Sequence, residues 1–166
     1  MENFRAALAA IEEMKRDGVI AEYAIGGAMA MIFWAEPVAT FDLDVFAVLP
    51  SRGLLVSLEP IYRWAKEHGY GERAEHIDMG GVPVQVIPAH TALTEEAITT
   101  AAVRDYEGVS VRVIRPEYLA AMALEGSART AKRMQRVAVM LESGTVERDL
   151  LEGLARKYNL RLPDLS

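Results

Sequence analysis

Two aspartates separated by one residue, Asp42 and Asp44, are the first candidates for chemistry in this chain. They lie in a run that alternates apolar and acidic residues and then becomes apolar, which predicts a strand over 41–49. Residues two apart on a strand point to the same face, so the two residues would lie roughly 6.5–7 Å apart along it. Two neighbouring anions on an apolar strand cost free energy unless a cation or donors compensate. A shared magnesium site is one interpretation, and a solvated sheet face is the other.

A glycine pair shortly before the aspartates favours the metal interpretation. Gly26 and Gly27 follow an apolar run that predicts a strand over 19–25, and they precede an alanine- and methionine-rich run that predicts a short buried helix over 28–34. N–H groups at a helix N-terminus stabilise anions, and glycine allows a close approach to the backbone. The pair is therefore a candidate site for a triphosphate tail, although a tight strand-to-helix turn would also explain it.

A basic helix face late in the chain is a third candidate. Its members have the spacing i, i+3, i+4 and i+7, and they are Arg129, Lys132, Arg133 and Arg136. No acidic residue lies between Gly126 and Gln135, so the face repels itself unless anions approach it. Phosphate oxygens would relieve the repulsion. A solvated charged face and contact with an RNA backbone remain the alternatives.

Apolar periodicity and turn residues predict the other elements. Helices are expected over 3–16, 51–68, 92–103, 116–125, 130–143 and 146–157. Strands are expected over 70–79, 82–87 and 109–114, the first two forming a hairpin around Gly80-Gly81. Pro60 should kink or break the second helix. We therefore expect an α+β fold in which a mixed sheet is flanked by helices, as a single domain over 1–166, with a sheet core over 1–115 and C-terminal helices over 116–160.

The composition is that of an ordinary globular protein. The 166 residues carry a net charge of -6, which argues against a protein that coats nucleic acid through a general positive field. The chain has no cysteine, so disulfides and thiolate zinc sites are excluded. No apolar run approaches the roughly 18 residues that a membrane span needs. We expect a cytoplasmic protein without a membrane partner.

The order of these motifs resembles the nucleotidyltransferase superfamily related to DNA polymerase beta. Members carry Gly-Gly or Gly-Ser followed by an acidic pair on the next strand, as residues 25–27 and 41–45 do here. The likeness is closest to small bacterial toxin-type nucleotidyltransferases, some paired with antitoxins, in which a threonine just precedes the acidic pair, as Thr40 does. It covers roughly residues 20–140, including the 82–88, 95–97 and 116–119 segments.

This resemblance implies a nucleotidyltransferase-like fold and a set of site residues. Asp42 and Asp44 would be the catalytic ligands of magnesium. The substrate-binding residues would be Gly26, Gly27, Thr40, Gln85, Arg129 and Lys132, the last two at the triphosphate. A nucleotidyl group would then pass from a nucleoside triphosphate to the hydroxyl of an RNA, protein or small-molecule acceptor, and an antitoxin is a candidate partner.

One position departs from the family pattern. Active members usually have a third carboxylate on a later strand, and Gln85 stands at the matching position. Glutamine carries no charge and cannot act as a general base near neutral pH. Three hairpin residues are candidates to take the proton instead, with an ordinary structural role as the alternative for each: Glu75, His76 and Asp78. A non-catalytic nucleotide-binding or partner-binding protein of the same fold is therefore the rival hypothesis.

The sequence-based hypothesis makes a geometric prediction. A cleft should join the aspartates, Gln85 and Lys132. If the aspartates were instead exposed on a face far from Gly26, a purely structural role would explain them. His68 and His90 have no metal-ligand spacing, and we assign them no role.

Overall fold

A seven-stranded mixed sheet forms the centre of the fold among the described residues. The computed structural model of the chain describes residues 2–35, 39–50, 55–126 and 130–164. The strands in chain order are β1 (Glu22–Ile25), β2 (Leu43–Val48), β3 (Gly71–Arg73), β4 (His76–Met79), β5 (Val82–Pro88), β6 (Ala102–Tyr106) and β7 (Val109–Val113). Their order across the sheet is β3-β4-β5-β2-β1-β7-β6. The central strand β2 is parallel to β5 and antiparallel to β1.

Helices cover both faces of this sheet. Those described are α1 (Glu2–Arg16), α2 (Gly27–Trp34), α3 (Glu59–Glu67), α4 (Ala92–Thr99), α5 (Pro116–Leu124), α6 (Ala131–Glu142) and α7 (Arg148–Tyr158). On one face, Leu43 and Val45 of β2 join a core with α1 and α3. On the other, Phe46 packs against a second core built from α4, α5 and α7. The expected α+β architecture, a mixed sheet flanked by helices with a helical C-terminal part, is confirmed.

The helix predicted over 51–68 is shorter than expected. It begins at Glu59, so Pro60 occupies its first turn and neither kinks nor interrupts it. Proline is tolerated there because the first N–H groups of a helix have no partner within the helix. Residues 55–58 precede the helix, and 51–54 lie outside the described residues.

Two other boundaries differ because strand pairing overrides local pattern. The helix predicted over 92–103 ends at Thr99, and Ala102 begins the edge strand β6, which pairs antiparallel with β7. The strand predicted over 70–79 is divided by a turn at Ala74, whose φ is +53°. That turn folds β3 back onto β4, and residues 77–79 of β4 in turn pair with residues 82–84 of β5.

A buried carboxylate joins two C-terminal helices. Glu117 on α5 is 1% exposed, and its Oε1 accepts the backbone N–H of Glu147 at 2.8 Å, just before α7 begins. Arg115 Nε lies 3.6 Å from the other carboxylate oxygen. Burial of a carboxylate is tolerated only with such partners, and this contact ties the start of α7 to α5.

Candidate active site

Asp44 lies within the parallel ladder of β2 and β5. Its flanking residues Leu43 and Val45 are fully buried on the opposite face, while the Asp44 side chain is half-buried on the face toward α5 and α6. In the strand register its Cα lies opposite that of Gln85. The alternation predicted for this strand is therefore confirmed for Asp44, and Gln85 occupies the neighbouring position on the next strand.

Asp42 differs from the expectation because it lies outside the strand. β2 begins at Leu43, and Asp42 is exposed. The next position of the register would place Asp42 opposite Pro83, which has no N–H to extend the ladder. Thr40 holds this segment instead, since its hydroxyl lies 3.0 Å from the Asp42 carbonyl oxygen and 3.3 Å from Asp42 Oδ1. The two aspartates are thus held by different means.

The glycine pair lies directly against β2. The Gly26 N–H donates to the Asp44 carbonyl oxygen at 2.9 Å, and α2 begins at Gly27. A Cβ on Gly27 would lie 2.1 Å from Asp44 Oδ2, and Gly27 has a φ of +59°. A Cβ on Gly26 would lie 2.4 Å from the Phe46 ring. Glycine is therefore required here by close approach, and at Gly27 also by backbone conformation.

The basic face on α6 points partly toward the aspartates. Lys132 and Arg136, one helical turn apart, line the same cavity as Asp42 and Asp44. Thr130 caps the helix by accepting the Arg133 N–H at 3.2 Å. Arg129 lies outside the described residues, so its proposed contact with the triphosphate stays a prediction.

One cavity of about 910 Å³, which we call the carboxylate cavity, brings most of the candidate residues together. Its lining includes Thr40, Asp42, Asp44, Gln85, Lys132 and Arg136. The predicted cleft is therefore present, and the aspartates do not lie on a remote surface. Gly26 and Gly27 do not line this cavity, but Gly27 lies against the Asp44 side chain, which does.

The three candidate proton acceptors are separated by the fold. Glu75 and His76 line the carboxylate cavity. Asp78 has a structural explanation, because its Oδ1 accepts the Gly81 N–H at 2.6 Å in the β4–β5 turn. Residues Phe41 and Arg73 also line the cavity, Phe41 with 84% of its surface exposed. Sequence reasoning missed both, since Arg73 reaches the cavity only through the turn that folds β3 onto β4.

A second cavity of about 480 Å³, which we call the helix cavity, adjoins the first. It lies between β2 and the helices α5 and α6, and it shares Met31, Asp44 and Arg136 with the carboxylate cavity. Gly27 lines this second cavity. Asp44 therefore lies where the two cavities meet.

The charge balance around Asp44 suits a bound cation. Burial raises the pKa of the Asp44 carboxyl, and the neighbouring Asp42 charge raises it further. Arg136, His76 and Lys132 lower this pKa, but the net shift is upward. The surrounding cationic side chains therefore do not fully offset the cost of ionising Asp44. A divalent cation beside the two carboxylates would favour the ionised form of Asp44. Asp42 and Asp44 supply two carboxylates, and carboxylate oxygens are ligands that magnesium prefers.

A different group of potential metal ligands lies on the opposite side of the sheet. Among the described residues, Glu13, Asp17 and His68 have ligand atoms within 4.8 Å of one another. Asp17 already accepts the Trp64 indole N–H at 2.8 Å, and His68 stacks on Trp64 with ring centroids 3.9 Å apart. His68 Nε2 is 3.9 Å from a carboxylate oxygen of each acid, so the packing of the end of α1 against the end of α3 explains the group.

Comparison with solved structures identifies the fold. An antigenic nucleotidyltransferase-like protein from Paracoccidioides brasiliensis is similar over 95% of this chain and 89% of its own, with a TM-score of 0.58 and 14% identity. The antibiotic-resistance factor ANT(2'')-Ia in solution is similar over 96% and 93%, with a TM-score of 0.54 and 15% identity. Its crystal structure in complex with adenylyl-2''-tobramycin gives 94% and 94%, with a TM-score of 0.56 and 16% identity. The chain has a nucleotidyltransferase-like fold.

Sequence comparison adds no closer assignment. No family sequence model and no curated protein sequence matches the chain. The likeness to toxin-type members of the superfamily therefore stays a prediction. In the part of the chain that the structure describes, each helix is too short or too polar to cross a bilayer.

Proposed function

We propose that the protein is a magnesium-dependent nucleotidyltransferase, which moves a nucleotidyl group from a nucleoside triphosphate to an acceptor hydroxyl. The observation that carries the proposal is the carboxylate cavity, where Asp42 and Asp44 face Lys132 and Arg136 within a nucleotidyltransferase-like fold. Carboxylates alone would repel a triphosphate, and cations alone would not hold a metal. Their combination in one space fits a metal–triphosphate complex.

The roles of the binding residues follow from their chemistry. Asp42 and Asp44 would hold magnesium, and Thr40 would orient Asp42 through its hydroxyl contact. Lys132 and Arg136 would bind phosphate oxygens, which cations on one helix turn can clamp together. Gly26 and Gly27 would let the phosphates approach the N-terminus of α2. We also expect the positive charge of Arg129 to attract the triphosphate. Magnesium held by Asp42 and Asp44 would neutralise phosphate charge and orient the α-phosphate.

The reaction requires a proton acceptor that Gln85 does not supply. The acceptor oxygen would bond to the α-phosphorus, the bond to the pyrophosphate oxygen would break, and pyrophosphate would leave with the electron pair. The acceptor's hydroxyl proton must pass to a base. Glu75 and His76 line the same cavity and are the residues we propose for that proton, with solvent as the alternative.

Gln85 itself supports a second candidate function. It lies opposite Asp44 in the strand register, where a carboxylate would complete the usual set of three acids. A protein with this substitution could bind nucleotide with one magnesium and transfer nothing. The alternative is therefore a non-catalytic nucleotide-binding or partner-binding protein of the same fold.

A small molecule, an RNA and a protein are the three candidate acceptors. ANT(2'')-Ia is a structural neighbour, and its complex with adenylyl-2''-tobramycin supports a small-molecule acceptor for this fold. RNA and protein acceptors stay equally open for this chain. The toxin-type resemblance adds an antitoxin as an expected partner. Induced expression in a bacterial host would test it: a toxin should arrest growth, and Asp42→Ala/Asp44→Ala should relieve the arrest.

Calorimetric titration tests the part that both candidates share. Nucleoside triphosphates with magnesium should bind the wild-type protein, and Asp42→Ala/Asp44→Ala should abolish binding. Lys132→Ala should weaken binding by at least about tenfold, the usual effect of losing one charge-assisted contact. Asp149→Ala is the matched control, because Asp149 is an exposed carboxylate on α7. If the wild-type protein binds no nucleotide, or binds it equally without the aspartates, both the enzyme and the nucleotide-binding candidate are wrong.

A transfer assay separates the enzyme from the binding protein. Incubation with α-labelled nucleotide and candidate RNA, protein and small-molecule acceptors should yield labelled acceptor and pyrophosphate. Gln85→Glu restores the missing carboxylate, so in a non-catalytic protein it should create or strongly increase transfer. Binding without transfer by the wild-type protein, with any acceptor, would favour the non-catalytic candidate, and transfer by Gln85→Glu alone would assign the loss to position 85.

A further inference from the structure

The helix cavity combines apolar walls with a few polar side chains, among them Thr91, Glu125 and Arg133. Its walls between α2, β2, α5 and α6 are built mainly from large apolar side chains: Met31, Phe46, Leu119, Met122, Val137 and Met140. The volume of about 480 Å³ falls in the range of small-molecule sites, which pair apolar walls with a few placed polar groups. A cavity of this kind beside Asp44 can take a part of one of the reacting molecules.

The position of the cavity relative to Asp44 limits the answer. Asp44 lies near the start of β2, and Ala47, three residues later, accepts the Ala89 N–H at 2.9 Å at the end of β5. The cavity extends from Asp44 to Thr91, just beyond that point. The strand from Asp44 to Ala47 spans about 10 Å, which is comparable to the length of a nucleoside. A nucleotide whose phosphates lie at Asp44 could therefore extend along β2 to Thr91.

The far end of the cavity carries a carboxylate fixed by a chain of hydroxyl groups. Thr91 donates its hydroxyl hydrogen to Glu125 Oε2 at 3.1 Å. Because that hydrogen is used, the 3.0 Å contact between the hydroxyls of Thr91 and Thr94 must have Thr94 as its donor. Thr91 also accepts the Thr94 N–H at 3.1 Å, so its hydrogen-bonding capacity is filled. Thr94 is 2% exposed, so this row of hydrogen bonds from Thr94 through Thr91 to Glu125 is a fixed part of the structure.

This arrangement sets Glu125 as a hydrogen-bond acceptor in the cavity. An ionised carboxylate has about four lone-pair sites and no donor, and the Thr91 hydroxyl uses one of them. The remaining sites match N–H donors on a ligand. Guanine has two adjacent donors on its pairing edge, N1–H and the N2 amino group, which suit a carboxylate in a bidentate manner. Adenine and cytosine place a ring-nitrogen acceptor beside their amino group, and uracil flanks its single N–H with two carbonyl oxygens.

We propose that the helix cavity binds the nucleoside of the triphosphate, and that Glu125 selects guanine. The inference rests on the proposed function, because it needs the phosphates at Asp44. It adds a base-recognition site to that function and assigns a residue to it. The carboxylate cavity is then left for the triphosphate and the approaching acceptor.

The first test compares the four nucleoside triphosphates with magnesium on the wild-type protein by calorimetry. GTP should bind on the order of 10- to 100-fold more tightly than ATP, CTP or UTP, the discrimination expected of one bidentate pair. Guanosine alone should compete with GTP. This test needs no variant, so it does not depend on the folding of a mutant. Equal affinities for the four nucleotides would overturn the proposal.

The second test replaces the Glu125 carboxylate, which only accepts hydrogen bonds, with an amide that both donates and accepts them. In Glu125→Gln the amide should lose the preference for GTP and match the amino and ring-nitrogen pair of adenine, so the GTP/ATP affinity ratio should fall at least tenfold. Glu95→Gln is the matched control, because Glu95 is an exposed carboxylate on α4. An unchanged ratio in Glu125→Gln, with thermal unfolding that shows a folded protein, would overturn the assignment of Glu125.

The outcomes also separate this proposal from the proposed function. Binding that depends on Asp42 and Asp44 but shows no base preference refutes only the role of Glu125. Loss of all nucleotide binding, or binding that ignores the aspartates, refutes the proposed function itself. If Glu125→Gln alters the apparent affinity for the acceptor and leaves nucleotide affinity unchanged, the helix cavity is an acceptor site, and the proposal is wrong.

Discussion

Replacement of Gly27 by alanine tests whether the glycine pair exists to hold Asp44. An alanine Cβ would lie 2.1 Å from Asp44 Oδ2 and 3.0 Å from its carboxyl carbon. Contacts below 3.0 Å do not persist, so either the Asp44 side chain or the start of α2 must move. Alanine must also adopt the positive φ of +59° that Gly27 has. Two separate costs therefore act at one position, and a control variant can separate them.

Gly18→Ala supplies that control. Gly18 has a φ of +75°, is exposed, and would place a Cβ with no atom within 4 Å. The left-handed conformation alone should cost about 1–2 kcal/mol in either variant. At Gly27, forcing the Asp44 side chain off its rotamer adds about 0.5–1.5 kcal/mol. For a chain of this length, each kcal/mol lowers the unfolding temperature by about 2–4 °C.

Thermal unfolding and calorimetry measure the two effects. Gly27→Ala should unfold at least about 1 °C below Gly18→Ala, the smallest difference these contributions allow. It should also bind magnesium nucleotide at least tenfold more weakly, because the displaced Asp44 no longer faces the cavity. Gly18→Ala should bind like the wild-type protein. Equal stability of the two variants together with wild-type nucleotide affinity in Gly27→Ala would refute the reasoning.

Two further predictions concern charged groups away from the cavities. Glu117→Ala removes the acceptor of the Glu147 N–H and should lower the free energy of unfolding, measured by urea titration, by about 1.5–3 kcal/mol. Glu152 is exposed on α7, so the control Glu152→Ala should change this free energy by less than about 0.5 kcal/mol. The Tyr158 hydroxyl lowers the pKa of the Glu96 carboxyl, so its stabilising contribution is present above its unfolded pKa and is lost as the pH falls through the lower folded value. Glu96→Gln should therefore flatten the acid side of the stability–pH curve below about pH 5, and an unchanged curve would exclude this contribution.

Much of the site was predictable because its signals are local. Gly26 and Gly27 between an apolar run and an alanine-rich run predict a strand, a turn and a helix, and the structure has β1 and α2 in that order. The alternation around Asp44 predicts its direction correctly, since Leu43 and Val45 are fully buried on the other face. Each of these predictions depends on residues within a few positions of one another.

Several of the failures share one physical cause: pairing partners distant in sequence decide where strands and helices end. Asp42 continues the alternation of β2, yet the ladder stops at Leu43, where the register reaches Val84 and next meets Pro83. Ala102 continues an apolar helical pattern, yet it pairs with Val113 in the sheet. The helix cavity could not be predicted at all, because residues from five elements between 27 and 140 line it.

The two aspartates, which the sequence presents as equivalent, are held in unequal ways, and the inequality links the fold to the chemistry. Asp44 is half-buried in a parallel ladder, and its carboxylate packs against the bare backbone of Gly27. Asp42 is exposed beyond the end of the strand and is held by the Thr40 hydroxyl. Under the proposed function, the rigidly held Asp44 would supply a fixed ligand for the metal, and Asp42 outside the ladder would adjust to the phosphates that arrive with it. The glycine at position 27 is thus the condition for a carboxylate to stand at the junction of the two cavities.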